Sequence, residues 1–227
     1  MSSAYREILQ KTEEHSALLL AVSKLQPVEK IRELYLQGQR DFAENYVQEA
    51  LDKQKQLADL TDLRWHLIGH LQKNKAKLIC QKFHLIHSVD SLQLAELIDR
   101  KTKEVAHGHI QKILLQVNIA SEDSKEGFDV ESLIRDWPQL ISLSHLQICG
   151  LMTMPPLENS PENNRAHFKK LSDLLKQLKT KTPGTLHPLS ELSMGTSHDF
   201  QVALQEGATI VRLGTILFGE RPQKALS

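Results

Sequence analysis

Short apolar runs rich in β-branched residues alternate along the chain with longer stretches in which apolar residues recur every three or four positions. The runs at 17–24, 41–45, 64–69, 85–89, 113–119, 147–152, 191–194 and 210–217 predict strands. The intervening stretches at 28–37, 47–58, 73–81, 91–105, 130–140, 161–179 and 200–206 predict helices. In the first of these Ile31, Leu34 and Tyr35 form a single apolar stripe, and in the sixth Phe168, Leu171, Leu174, Leu175 and Leu178 do the same. Ser91 is placed to cap the helix that starts at Leu92, and Gly38 and Gly207 to stop helices.

Strands separated by helices need crossover connections, which make a parallel sheet. Eight such units fit a closed (β/α)8 barrel of the TIM type. An open doubly wound sheet is the alternative, but no glycine fingerprint follows the first strand. Only eight residues follow Gly219, so the eighth outer helix is expected to be missing. A helix from Ser3 to Glu14 is expected to cover that gap. No linker, low-complexity stretch or internal repeat interrupts the pattern, and a single domain over residues 1–227 is expected.

Composition narrows the function classes. The chain has 28 basic and 28 acidic residues, which removes the usual drive toward nucleic acid or an anionic membrane. No apolar run is long enough to span a bilayer, and the residues after Met1 lack the apolar core of a secretory signal. Cys80 and Cys149 lie far apart in apolar surroundings, which predicts buried free thiols. A cytoplasmic monomer is the expectation.

Two distant segments carry the candidate chemistry. Lys24 stands at the end of the apolar run 17–24, with Pro27 closing the exit. Burial lowers an ammonium pKa, and a lysine so tuned forms imines with aldehydes. A lysine that merely marks where the strand meets water has the same appearance. Near the other end, Ser193-Met194-Gly195-Thr196 precedes a predicted helix, and small residues with free N–H groups at such a place suit a phosphate. Arg212 and Gly214 are two apart on the last strand and so share a face. In a closed barrel the first and eighth strands are neighbours, and sites form at the C-terminal strand ends. The amine and the cradle then meet, and pyridoxal 5′-phosphate (PLP), with an aldehyde and a phosphate, answers both.

At these residues the chain resembles the pyridoxal phosphate homeostasis proteins. The resemblance runs through Ala21-Val22-Ser23-Lys24, Glu44-Asn45-Tyr46-Val47-Gln48-Glu49 and Trp65-His66-Leu67-Ile68-Gly69-His70-Leu71-Gln72-Lys73-Asn74-Lys75. It continues through His87-Ser88-Val89-Asp90-Ser91, Gln116-Val117-Asn118-Ile119, Ser124-Lys125-Glu126-Gly127 and Gly150-Leu151-Met152. It closes with Leu192-Ser193-Met194-Gly195 and with Val211-Arg212-Leu213-Gly214-Thr215-Ile216-Leu217-Phe218-Gly219-Glu220-Arg221. The resemblance implies an alanine-racemase-like barrel of PLP fold type III with no C-terminal β-domain, and PLP held as a reversible imine on Lys24. It implies phosphate contacts from Ser193, Met194, Gly195, Thr196, Gly214 and Thr215, with Arg212 serving either the phosphate or the ring. It also implies that Asn45, His66 and Met152 lie near the ring. Ala43 stands where the family often has Gly, and Pro222-Gln223 where Asp-Tyr is common.

Three functional readings remain open on the sequence. One is a PLP carrier that supplies or buffers the cofactor for apo-enzymes without robust catalysis. The second is a racemase-like PLP enzyme with weak activity, which needs acid–base groups on both faces of the substrate carbon, where only one is evident. The third is a lysine aldolase barrel with no use for the phosphate cradle. A metal site is not expected from His66, His70, His84 and His87, because the first two span a strand-to-loop junction and no Cys, Asp or Glu falls at ligand spacing. Lys73, Asn74, Lys75 and Lys77 read as a solvated helix face. Lys125, after the fifth strand, is either a surface lysine or a second aldehyde-reactive amine.

Overall fold

The structure, a computed structural model, describes residues 3–105, 108–120, 126–184 and 186–219. Lys125 lies outside these residues. The eight predicted strands form as β1 (Leu18–Val22), β2 (Asp41–Glu44), β3 (Arg64–Leu67), β4 (Leu85–Val89), β5 (Gln111–Gln116), β6 (Leu146–Met152), β7 (Glu191–Ser193) and β8 (Ile210–Leu213). They pair in sequence order, all parallel, and β1 pairs with β8 to close the barrel. The helices are α1 (Ser3–Glu14), α2 (Val28–Leu36), α3 (Val47–Gln56), α4 (Ala76–Ile79), α5 (Leu92–Val105), α6 (Val130–Leu140), α7 (Arg165–Thr180), α8 (Phe200–Gln205) and α9 (Thr215–Phe218). Helix α1 packs against β1 and α9, beside the seam between first and last strands where it was expected.

Alternation along each strand sorts the apolar residues into two cores. Leu20, Ala43, Leu85, Leu114, Cys149, Met152 and Ile210 fill the barrel, and the larger core lies between the sheet and the outer helices. The helix boundaries follow local chemistry. Ser91 Oγ accepts the Leu94 N–H at 3.3 Å, and Gly38 and Gly207 take positive φ where their helices end. Both cysteines are buried and free. Among the described residues no helix is long and apolar enough to cross a membrane.

The differences from expectation fall at element ends. The run 210–217 is not one strand: β8 stops at Leu213 and Thr215–Phe218 turns into a short helix. The stretch 73–81 divides into a 3-10 turn at Lys73–Lys75 and the four-residue α4. The strand expected at 17–24 ends at Val22, which leaves Lys24 in the following turn.

Candidate functional site

Lys24 leaves β1 at the C-terminal mouth of the barrel and lines a cavity of about 390 Å³. Asn45 from the β2 exit, Thr196 from the β7 loop, Arg212 from β8, and Gly214 and Thr215 from the turn into α9 line the same cavity. The closed topology thus brings together two segments nearly the whole chain apart in sequence. The wall is completed by Val22, Ile68, Met154, Leu157, Ser197 and His198, none of which sequence reasoning had placed there.

Arg212 is 3% exposed, and burial pushes its guanidinium down to about 10, a shift that the charge of Asp199 opposes. It therefore stays cationic at neutral pH. Nη1 donates to Ser193 Oγ at 2.8 Å and Nη2 to the Thr153 carbonyl at 2.9 Å. Among the described residues no carboxylate forms an ion pair with it. A buried cation with no carboxylate in direct contact is costly, so a wall that carries one favours an anionic ligand. Opposite in kind, Asn45 Oδ1 is buried with no hydrogen-bond partner. Asn45 is held at the wall because its backbone packs against Gly69, where an added Cβ would lie 2.1 Å from the Asn45 carbonyl oxygen.

The β7–α8 loop differs in detail from the expected cradle. Gly195 takes φ +88, and an added Cβ there would lie 2.6 Å from that of Ala203. The Thr196 N–H and hydroxyl both go to Asp199 Oδ1, at 2.7 and 3.1 Å. Among the described residues no hydrogen bond uses the N–H of Gly195, Ser197 or His198. The free donors of the loop are therefore the N–H of Gly195, inside the predicted block, and those of Ser197 and His198, just beyond it. The spacing Thr-x-x-Asp carries that signal, since it lets the acid take up the donors of the first residue. Ser193 and Met194 are fully buried, and Ser193 Oγ is occupied inside the barrel by Arg212 and by His87 Nδ1 at 2.9 Å. Met152 packs in the barrel core rather than on the cavity wall.

His66 also stands elsewhere. It lines a second cavity of about 490 Å³, with Leu18, His84, Lys112, Cys149, Glu191 and Thr209, at the end of the barrel where the strands begin. Its Nδ1 is 3.0 Å from His87 Nε2 and its Nε2 is 3.2 Å from Asp41 Oδ1. Burial would raise the Asp41 carboxyl, but hydrogen bonds from Arg64 and His66 override it and hold it at about 2. Burial lowers the pKa of both His66 and His87. Of the other histidines in that stretch, His70 Nδ1 lies 3.0 Å from Glu126 Oε2 and 3.5 Å from Asp90 Oδ2. The fold thus supplies carboxylates that sequence spacing did not show, in a half-exposed arrangement of an imidazole between two acids.

The chain matches the family described as alanine racemase, N-terminal domain, over residues 2–222. A pyridoxal phosphate homeostasis protein of Aquifex aeolicus is 44% identical over 208 residues, covering 92% of this chain and 89% of the relative. PipY of Synechococcus elongatus, solved with PLP bound, superposes with a TM-score of 0.86 at 43% identity and covers 95% of this chain and 99% of its own. An alanine racemase of Clostridium difficile shares the fold, with a TM-score of 0.71 at 17% identity, and this chain spans 58% of it. The chain belongs to the alanine racemase N-terminal domain family, among the pyridoxal phosphate homeostasis proteins.

Proposed function

We propose that this protein binds PLP in the cavity at the C-terminal mouth of its barrel and serves PLP homeostasis. The observation that carries this reading is that Lys24 and the buried cation Arg212, which has no ion-pair partner among the described residues, line one cavity of about 390 Å³. PLP supplies an aldehyde, which condenses with an amine to form one C=N bond and release its oxygen as water. Lys24 Nζ is the amine on that wall. The unused N–H groups of Gly195, Ser197 and His198, the start of α9 at Thr215 and the charge of Arg212 are the groups suited to the phosphate. Asn45 Oδ1, lacking a partner among the described residues, is an acceptor available to a donor on the ring. Met152, Ser193 and Met194 are buried behind the wall rather than touching the ligand, and His66 stands at the opposite end of the barrel.

The PLP bound by PipY, a relative at 43% identity over nearly the whole chain, supports the same ligand here. The wider role is that of a cytoplasmic monomer that takes up PLP reversibly and gives it to apo-enzymes. Mixing the PLP-loaded protein with an apo PLP-dependent enzyme tests this: activity of the acceptor should return faster than with free PLP at the concentration the carrier leaves in solution. Recovery no faster than that control would refute transfer, and no saturable change in the visible spectrum on PLP addition would refute binding itself.

A further inference from the structure

The turn that carries Lys24 is fastened from behind by three charged side chains that do not line its cavity. Lys53, on α3, is 6% exposed and spends its three N–H bonds on three acceptors. These are the Ser23 carbonyl at 2.7 Å, Glu44 Oε1 at 2.8 Å and Glu49 Oε1 at 2.7 Å. Glu49 Oε1 also accepts the Leu25 N–H at 2.6 Å, and Glu44 Oε1 accepts the Ser23 hydroxyl at 2.6 Å. Both neighbours of Lys24 are therefore tied: Ser23 through its carbonyl and its hydroxyl, Leu25 through its amide.

The fastening has something to hold. Leu25 takes φ +60, a left-handed conformation that costs a non-glycine residue and persists only where the surroundings over-determine it. Nor is stability alone a sufficient account of the cluster. Glu44 is fully buried, and burial raises its carboxyl while Lys53 opposes the shift. Buried ion clusters of this kind are commonly matched or bettered by well-packed apolar residues, so their worth lies in what they position.

We propose that Lys53, with Glu44 and Glu49, is a positioning group for Lys24: it fixes the backbone at 23–25 so that the Lys24 amine stays on the cavity wall. This rests on the reading above, in which Lys24 forms the covalent link to PLP. The test compares wild-type protein with Lys53→Met and Glu49→Ala on two readouts. One is the rate and extent of borohydride-trapped adduct formed with PLP. The other is affinity for pyridoxine 5′-phosphate, which keeps the ring and phosphate but lacks the aldehyde. Adduct formation should fall at least tenfold in both variants while affinity for the analogue stays within about twofold. Should Lys53→Met fail to fold, Glu49→Ala, which keeps the Lys53–Glu44 pair, decides on the same readouts. Wild-type adduct formation in the variants, or loss of analogue binding in step with the adduct, would overturn the proposal. A wild-type protein that forms no adduct at Lys24 would instead overturn the assignment of Lys24 itself.

Discussion

Nδ1 of His66 lies 3.0 Å from Nε2 of His87, and this contact joins the hydrogen bonds of Asp41 and His66 to those of His87, Ser193 and Arg212. Asp41 is ionised and only accepts, so His66 Nε2 must donate to it. A neutral His66 then accepts at Nδ1, so His87 donates from Nε2 and accepts at Nδ1. That acceptor takes the Ser193 hydroxyl proton, and Ser193 Oγ in turn accepts from Arg212. The chain runs one way, from a cation at the C-terminal mouth to an anion at the opposite end.

Acid should act on this chain first. Burial lowers the pKa of His66 and His87 below the usual 6.5. The unfolded chain then binds protons before the folded one as pH falls. Their contribution is complete above about pH 6.5 and is lost below it, at no more than about 1.4 kcal/mol per pH unit for each histidine. Urea midpoints should fall from pH 7.5 to 5.5, a window in which Asp41 stays ionised. A midpoint that holds constant across it would contradict neutral, buried imidazoles.

Arg212→Gln should weaken retention of PLP more than of pyridoxal. A lost charge-assisted contact of about 1.5–3 kcal/mol corresponds to roughly ten- to hundred-fold in affinity. Equal weakening of both ligands, measured by equilibrium dialysis, would place Arg212 at the ring or in the fold alone.

Gly195→Ala should disturb the β7–α8 loop, because the residue has φ +88 and its new Cβ would meet the Ala203 Cβ and the Phe200 backbone. The expected outcome is a lowered melting temperature and PLP affinity reduced at least tenfold. An unchanged melting temperature with full affinity would show that the loop yields without consequence.

Strand number, order and closure were legible because alternation and β-branched runs survive without any tertiary information. Strand heights were not. The register Ala43↔His66 puts Ile68, not His66, level with Asn45, so His66 falls short of the mouth although its inward parity is right. Ser193 likewise pairs with Ile210, two residues below Arg212, which sinks its hydroxyl into the interior. That Lys24, Asn45, Thr196, Arg212, Gly214 and Thr215 would line one cavity was legible because each lies in the last residues of a strand or in the turn that follows it. The Lys53 anchor left no trace in local pattern: on α3 it reads as one of many polar helix positions, and its partners come from two other segments.

Whether Lys24 carries PLP covalently can be read from a single reduced and digested sample. Wild-type protein loaded with PLP is reduced with borohydride, digested, and the modified peptide located by mass. The account predicts a single modified residue, Lys24, with no adduct and no visible absorption band in Lys24→Ala. Modification confined to Lys125, or an unchanged band in Lys24→Ala, would contradict it.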